Sequence, residues 1–174
     1  MSLKSVLSVA ALGVAVIAAG PGVAQQGKPE AVPEKMPFDI PYGAAISIAQ
    51  AKEAVAAAVA EARKHGWKFN IAVVDPSGDL VYFERMDGAQ VASGAISQGK
   101  ARTAARFRRP SVLFFNAMES GHNYVATLDP TLIASAGGNP LVVGGKLIGA
   151  IGVSGGTGSQ DDVVSMAGAA VVNR

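Results

Sequence analysis

Cysteine is absent from all 174 residues. This excludes disulfides, thiolate metal centres, a cysteine nucleophile and covalent haem attachment through a C-x-x-C-H motif. It leaves the compartment open, because a chain without thiols folds equally well in oxidising or reducing surroundings. Charge is also scarce: 16% of residues are charged and the net value is +2. So weak an imbalance argues against nucleic acid or an anionic membrane as partner. Aromatic residues make up 6% of the chain, with one tryptophan, and there are only two histidines. So few rings argue against a core built on large aromatic side chains. The chain has in their place 49% apolar residues and 21 glycines, a composition for one packed domain with tight turns and close backbone contacts.

The N-terminus shows a secretory pattern. Lys4 supplies a short positive region, Val6–Ala19 is apolar except for Ser8 and Gly13, and Gly22 and Ala24 are small. Residues 1–24 are therefore expected to be a signal peptide cut after Ala24, which places the product in the periplasm or outside the cell. The apolar run is shorter than the ~20 residues of a membrane span, so no stable span is expected after cleavage. Residues 25–43 carry Pro29, Pro33, Pro37 and Pro41 without hydrophobic periodicity, and are expected to be a flexible linker. Residues 44–174 then form the domain, with order beginning near Ser47.

Ser47 and Gln50 have capping-box spacing, and Ile48, Ala51, Val55, Val59 and Ala62 recur on one helical face before His65-Gly66. Such an alanine-rich face is flat enough to lie against a sheet or a second subunit. Phe69–Asp75 and Leu80–Met86 read as a hairpin around Asp75-Pro76-Ser77-Gly78. Ala92–Phe107 reads as a helix, and Ser111 is positioned to cap another that runs to Ser120. Strands follow near Leu132–Ala136, at Leu141–Val143 and at Lys146–Val153, the last two joined by Gly144-Gly145. Ser159 is placed to cap a final helix with Asp161 and Asp162 in its first turn. Hairpin-linked strands covered by helices make the expected fold class α/β of the α+β type, a three-layer α/β/α domain.

Several blocks carry a resemblance. They are Ala72-Val73-Val74-Asp75 with Gly78, Arg85-Met86-Asp87-Gly88-Ala89, Lys100-Ala101-Arg102-Thr103-Ala104 with Phe107 and Arg109-Pro110-Ser111, Gly137-Gly138-Asn139-Pro140, and Ile148–Gly155. Occurring together and in this order, they resemble the GlcG/HbpS family of haem-binding proteins. The resemblance implies a profilin-like fold with a five-stranded antiparallel sheet, a homo-oligomer, and haem as ligand. It supplies no shared axial-ligand position.

Without cysteine, haem iron is held by histidine, methionine or tyrosine. His122, in the loop Gly121-His122-Asn123-Tyr124, is a candidate for binding haem and its metal; its alternative is an ordinary exposed loop residue. Tyr124 is an alternative oxygen ligand. Ser111 stands where threonine is common in the family, leaving a role in ligation open. Met86 and Met118 read first as packing residues. His65 beside a helix end reads as a partner of the helix dipole. Arg102, Arg106 and Arg109 are expected on one helical face, where guanidinium groups either meet propionates or another carboxylate, or pair with acids within the protein. The loop Gly152–Gly158 lacks G-K-[ST], and Ser154 lacks the G-x-S-x-G setting of a hydrolase. Two functions remain: an exported haem-binding protein for sequestration, sensing or trafficking, or a binder of, or enzyme acting on, a small carboxylate metabolite. No catalytic motif stands out.

Overall fold

The capping box forms as its spacing predicts. Ser47 Oγ accepts the Gln50 N–H at 3.3 Å, Gln50 Oε1 accepts the Ser47 N–H at 3.2 Å, and α1 (Ile48–Lys64) begins there. In this computed structural model, residues 32–174 are described; the expected signal peptide and the linker as far as residue 31 lie outside the described residues. The inner face of α1 is Ala51, Ala54, Val55, Ala58, Val59 and Ala62. Ile48, expected on that face, is half exposed, because the first helical residue precedes the turns that meet the core. His65 ends the helix, hydrogen-bonds Glu61 Oε1 at 3.1 Å and stacks on Trp67 at 4.2 Å.

Strands β1 (Asn70–Val74) and β2 (Leu80–Arg85) flank the turn at Asp75. The Asp75 carboxylate accepts the N–H groups of Ser77 and Asp79, and Gly78 takes the left-handed φ of 92°. Helix α2 (Ser93–Arg106) is followed by α3 (Val112–Glu119) and a short 3-10 helix at Asn123–Thr127. Strands β3 (Gly138–Val143) and β4 (Lys146–Ser154) form the second hairpin, with φ of 55° and 72° at Gly144 and Gly145, as a type I′ turn requires. Helix α4 (Gly158–Ala170) closes the domain, and Thr157, not Ser159, is its cap, in a second capping box with Gln160.

The strands form one antiparallel sheet in the order β2-β1-β4-β3. Side-chain alternation assigns its faces. Ile71, Val73, Ile151 and Val153 point into the core shared with α1 and α4, while Val74 and Ala150 pack with Ala101, Ala104 and Ala105 of α2. The three-layer expectation holds on this packing. Glycine makes the α2 layer possible: a Cβ on Gly152 would lie 2.1 Å from the Ser97 carbonyl oxygen, and one on Gly138 would lie 2.4 Å from that of Lys100.

The described residues contain four strands where five are expected. Leu132–Ala136 is irregular, because side chains of the neighbouring helices satisfy its backbone in place of a ladder. Thr103 Oγ1 accepts the Ile133 N–H at 2.9 Å, and Ser111 Oγ donates to the Ser135 carbonyl. Packing also begins before Ser47. Tyr42 pairs with Leu147, Gly43 N–H donates to the Leu147 carbonyl at 2.7 Å, and the Tyr42 hydroxyl reaches the Arg106 carbonyl at 2.9 Å. The end of the expected linker is thereby fastened alongside β4.

Candidate functional site

Two grooves meet at Met166 on α4. One, of about 500 Å³, lies between α3 and α4 and has Val112, Phe115, Val163 and Met166 among its walls. The other, of about 810 Å³, is bordered by Phe38–Pro41, Arg108–Pro110, the β3 edge and α4. The apolar walls of the first are side chains that α3 and α4 leave exposed: Phe115, Val163 and Met166 are each at least 40% accessible.

The cations of the second groove follow from how α2 ends. Arg108 has φ of 54°, so the helical path stops before it, and Pro110 prevents its resumption. Arg109 therefore leaves the face carrying Arg102 and Arg106, and the expected three-arginine face does not form, because three-residue spacing aligns side chains only within an unbroken helix. Arg102 Nε instead donates to the Gly78 carbonyl at 3.1 Å. Arg106 pairs with Asp129 at 3.0 Å and also donates to the Thr131 hydroxyl. Hydrogen bonds from Thr131, with Arg106 adding its charge, hold the Asp129 carboxyl below the usual carboxylate range.

Arg109 lies over three aromatic rings, 4.2 Å from Phe38, 4.4 Å from Phe114 and 5.7 Å from Phe107. Its Nε is buried without a hydrogen-bond partner, and among the described residues no carboxylate pairs with it. Burial lowers its pKa, partly offset by Tyr124. Beside it, Arg108 donates to the Ile40 carbonyl and lies 3.8 Å from the exposed Asp39 carboxylate.

The other predicted residues are dispersed. His122 and Tyr124 are exposed where α3 gives way to the 3-10 helix, their rings edge to face at 6.2 Å. Neither is among the residues bordering the two grooves. Ser111 is fully buried and does not cap α3: its hydroxyl donates to Ser135 and accepts the Gly138 N–H at 2.9 Å. Met86 packs against the main core, as expected. Asp75 and Asp79 belong to the hairpin turn, and among the described residues no group of three histidine or acidic side chains is gathered for a metal ion.

Lys100 reads in the sequence as part of the arginine-rich stretch, yet it is buried. Its ammonium donates to Asp161 Oδ2 at 2.5 Å and to the Val153 carbonyl at 3.2 Å. Asp161 Oδ1 accepts the Gly156 N–H, so this pair ties α2, the end of β4 and the glycine-rich loop together. Burial raises the Asp161 pKa despite the lysine beside it. Phe38, Phe114 and Met166 went unnoticed in the sequence: Phe38 sits in a proline-rich stretch and the other two in short apolar runs, where nothing separates a wall residue from a core residue.

Comparison with known proteins places this geometry in context. Residues 46–170 match the family described as "Haem degrading protein HbpS-like". Protein GlcG of Escherichia coli is 42% identical over 109 residues, covering 63% of this chain and 81% of its own. The crystal structure of HbpS superposes with a TM-score of 0.71 at 28% identity, over 80% of this chain and 99% of that one. A crystal structure of a PduOC–haem complex gives 0.68 at 26% identity, over 74% and 96%. Among the described residues, no helix is long and apolar enough to cross a membrane.

Proposed function

Because the chain belongs to the HbpS-like family, we propose that it is an exported haem-binding protein acting outside the cytoplasm in haem sequestration, sensing or trafficking. The observation that carries this reading is the pairing of an apolar groove between α3 and α4 with an adjoining groove that holds unpaired Arg109. The residues fit the group: apolar walls suit a porphyrin face, and guanidinium suits the propionates at its edge. A neighbour of the same fold is a haem complex. Haem would supply an iron centre for exchangeable ligands or electron transfer.

Around it the chain's own residues divide the work. Val112, Phe115, Val163 and Met166 would exclude water from the ring. Arg109 would hold a propionate, with Arg102 and Arg106 engaged inside the fold. His122 is retained as the preferred iron donor by residue type and loop setting although it borders neither groove; Tyr124, also outside both, and Met166, where the two grooves meet, are the exposed alternatives. Haemin titrated into the purified protein should show a saturable shift and sharpening of its Soret band relative to haemin alone, and His122→Ala should alter or abolish that shift while the far-ultraviolet circular dichroism stays unchanged. A spectrum identical to that of free haemin at every protein concentration would end the haem reading. An unchanged spectrum in the variant would end the role of His122.

A further inference from the structure

Arg109 poses a question that the fold does not answer from within. A charged side chain partly withdrawn from water ordinarily finds a carboxylate, a carbonyl or an ordered water. The half-buried Arg102 finds the Gly78 carbonyl, and even the exposed Arg106 finds Asp129. Arg109 does not: among the described residues its guanidinium has no hydrogen bond, and its buried Nε is one of only two such orphaned side-chain atoms. Phe38 and Phe114 lie 4.2 Å and 4.4 Å from it, which restrains the side chain without using any of its five N–H donors. The Arg109 side chain borders the 810 Å³ groove, whose other walls include Pro41, Pro140 and Ala169. The balance of charge around the groove is cationic, since Arg108 and Arg109 face it with Asp39 as the acid.

We infer that the groove beside Arg109 is a carboxylate-binding site, taking the acid group of an organic ligand on the restrained guanidinium and its apolar part against the proline and alanine wall. Guanidinium matches carboxylate with two parallel hydrogen bonds, and the aromatic stacking pre-orders it, so little rotamer freedom is lost on binding. A haem propionate and a free organic acid offer the same chemistry. The inference rests on the haem reading for the first source only.

The test separates the two. The full chain, labelled with nitrogen-15, is titrated with octanoate, with octanol as the uncharged control, with iron-free protoporphyrin and with haemin. The Arg109 Nε–H resonance and the heat of binding are followed. Octanoate should bind saturably, octanol should not, and the Arg109 Nε–H should move with octanoate. Arg109→Gln should weaken octanoate by about ten- to a hundredfold, as expected for one charge-assisted contact, with Arg109→Lys in between. Should Arg109→Gln fail to fold, the resonance shift in the parent protein decides alone. Movement with protoporphyrin and haemin but not octanoate would assign the site to propionates. An Arg109 signal unmoved by any carboxylate would overturn the inference even if the protein shifted the haemin Soret band through an iron ligand. Octanoate binding with a haemin spectrum unchanged by the protein would sink the haem reading and leave this site standing.

Discussion

Single residues in this fold are governed by what burial does to charge. Lys100 and Asp161 are both withdrawn from water, and each is tolerable only because the other is present. Asp161→Ala strands an ammonium with one carbonyl for company and should cost about 3–5 kcal/mol, read as a lower urea midpoint. Lys100→Met leaves an acid, and an acid can escape its charge. Its folded pKa is already raised by burial, and losing the lysine raises it further. A raised acid contributes stability that is present below its unfolded pKa and lost as pH rises through the folded one. The deficit of Lys100→Met relative to the parent should therefore shrink as pH falls toward the ordinary carboxylate range, whereas that of Asp161→Ala should not. Equal pH dependence in the two variants would contradict this account. Arg109 is a different case, a partly buried cation whose buried Nε has no internal partner, and the contrast with Lys100 marks it as the residue proposed to take a ligand.

Among the elements, the segment between the 3-10 helix and β3 departs most from expectation. Leu132–Ala136 is apolar enough to pass for a strand, yet Thr103 and Ser111 intercept its backbone groups. Ser111 holds one of them, the Ser135 carbonyl, and also the Gly138 N–H at the start of β3. Ser111→Ala would leave both groups unmatched and should destabilise the domain by about 2–6 kcal/mol, at about 1–3 kcal/mol for each group. Amide exchange should show the loss first at Gly138, and Ser111→Thr should restore most of it by keeping the hydroxyl. Full protection of Gly138 in Ser111→Ala would show that the hydroxyl is dispensable. The helices follow local chemistry more closely: Ser47 and Thr157 each cap with a glutamine three residues on.

For the whole molecule, the flat alanine face of α1, expected to lie against a sheet or a second subunit, is taken up by the interior. The alanine face of α1 packs under α4, and Gly152 receives the backbone of α2. Exposed apolar side chains gather on the rim of α3 and α4, with Leu113, Phe115, Val163 and Met166 among them. We propose that the protein self-associates, and light scattering should give at least the mass of a dimer at tens of micromolar. A clean monomer would refute this. Export makes a separate prediction: protein recovered from the periplasm or medium should have the intact mass of a chain beginning at Gln25. Retention of Met1 in that fraction would refute cleavage.

Much is legible in the sequence alone. Both capping boxes lie within four residues, as do the Asp75 turn and the Gly144-Gly145 hairpin, so their chemistry is local and their spacing determines them; the first of the boxes, with the two turns, was read directly. The blocks shared with the family are likewise linear strings, and they sufficed for membership. Four outcomes belonged to tertiary structure alone: the burial of Lys100, the interception of Leu132–Ala136, the dispersal of the arginines, and the union of Phe38 with Arg109 and Phe114. Each depends on groups far apart in the chain, and Lys100 meets an acid 61 positions away. An arginine in a basic stretch reads the same whether solvent, an acid or nothing awaits it. Only the packing of α2 against the sheet, and the left-handed turn at Arg108 that ends that helix, decided which arginine would face a groove without a partner.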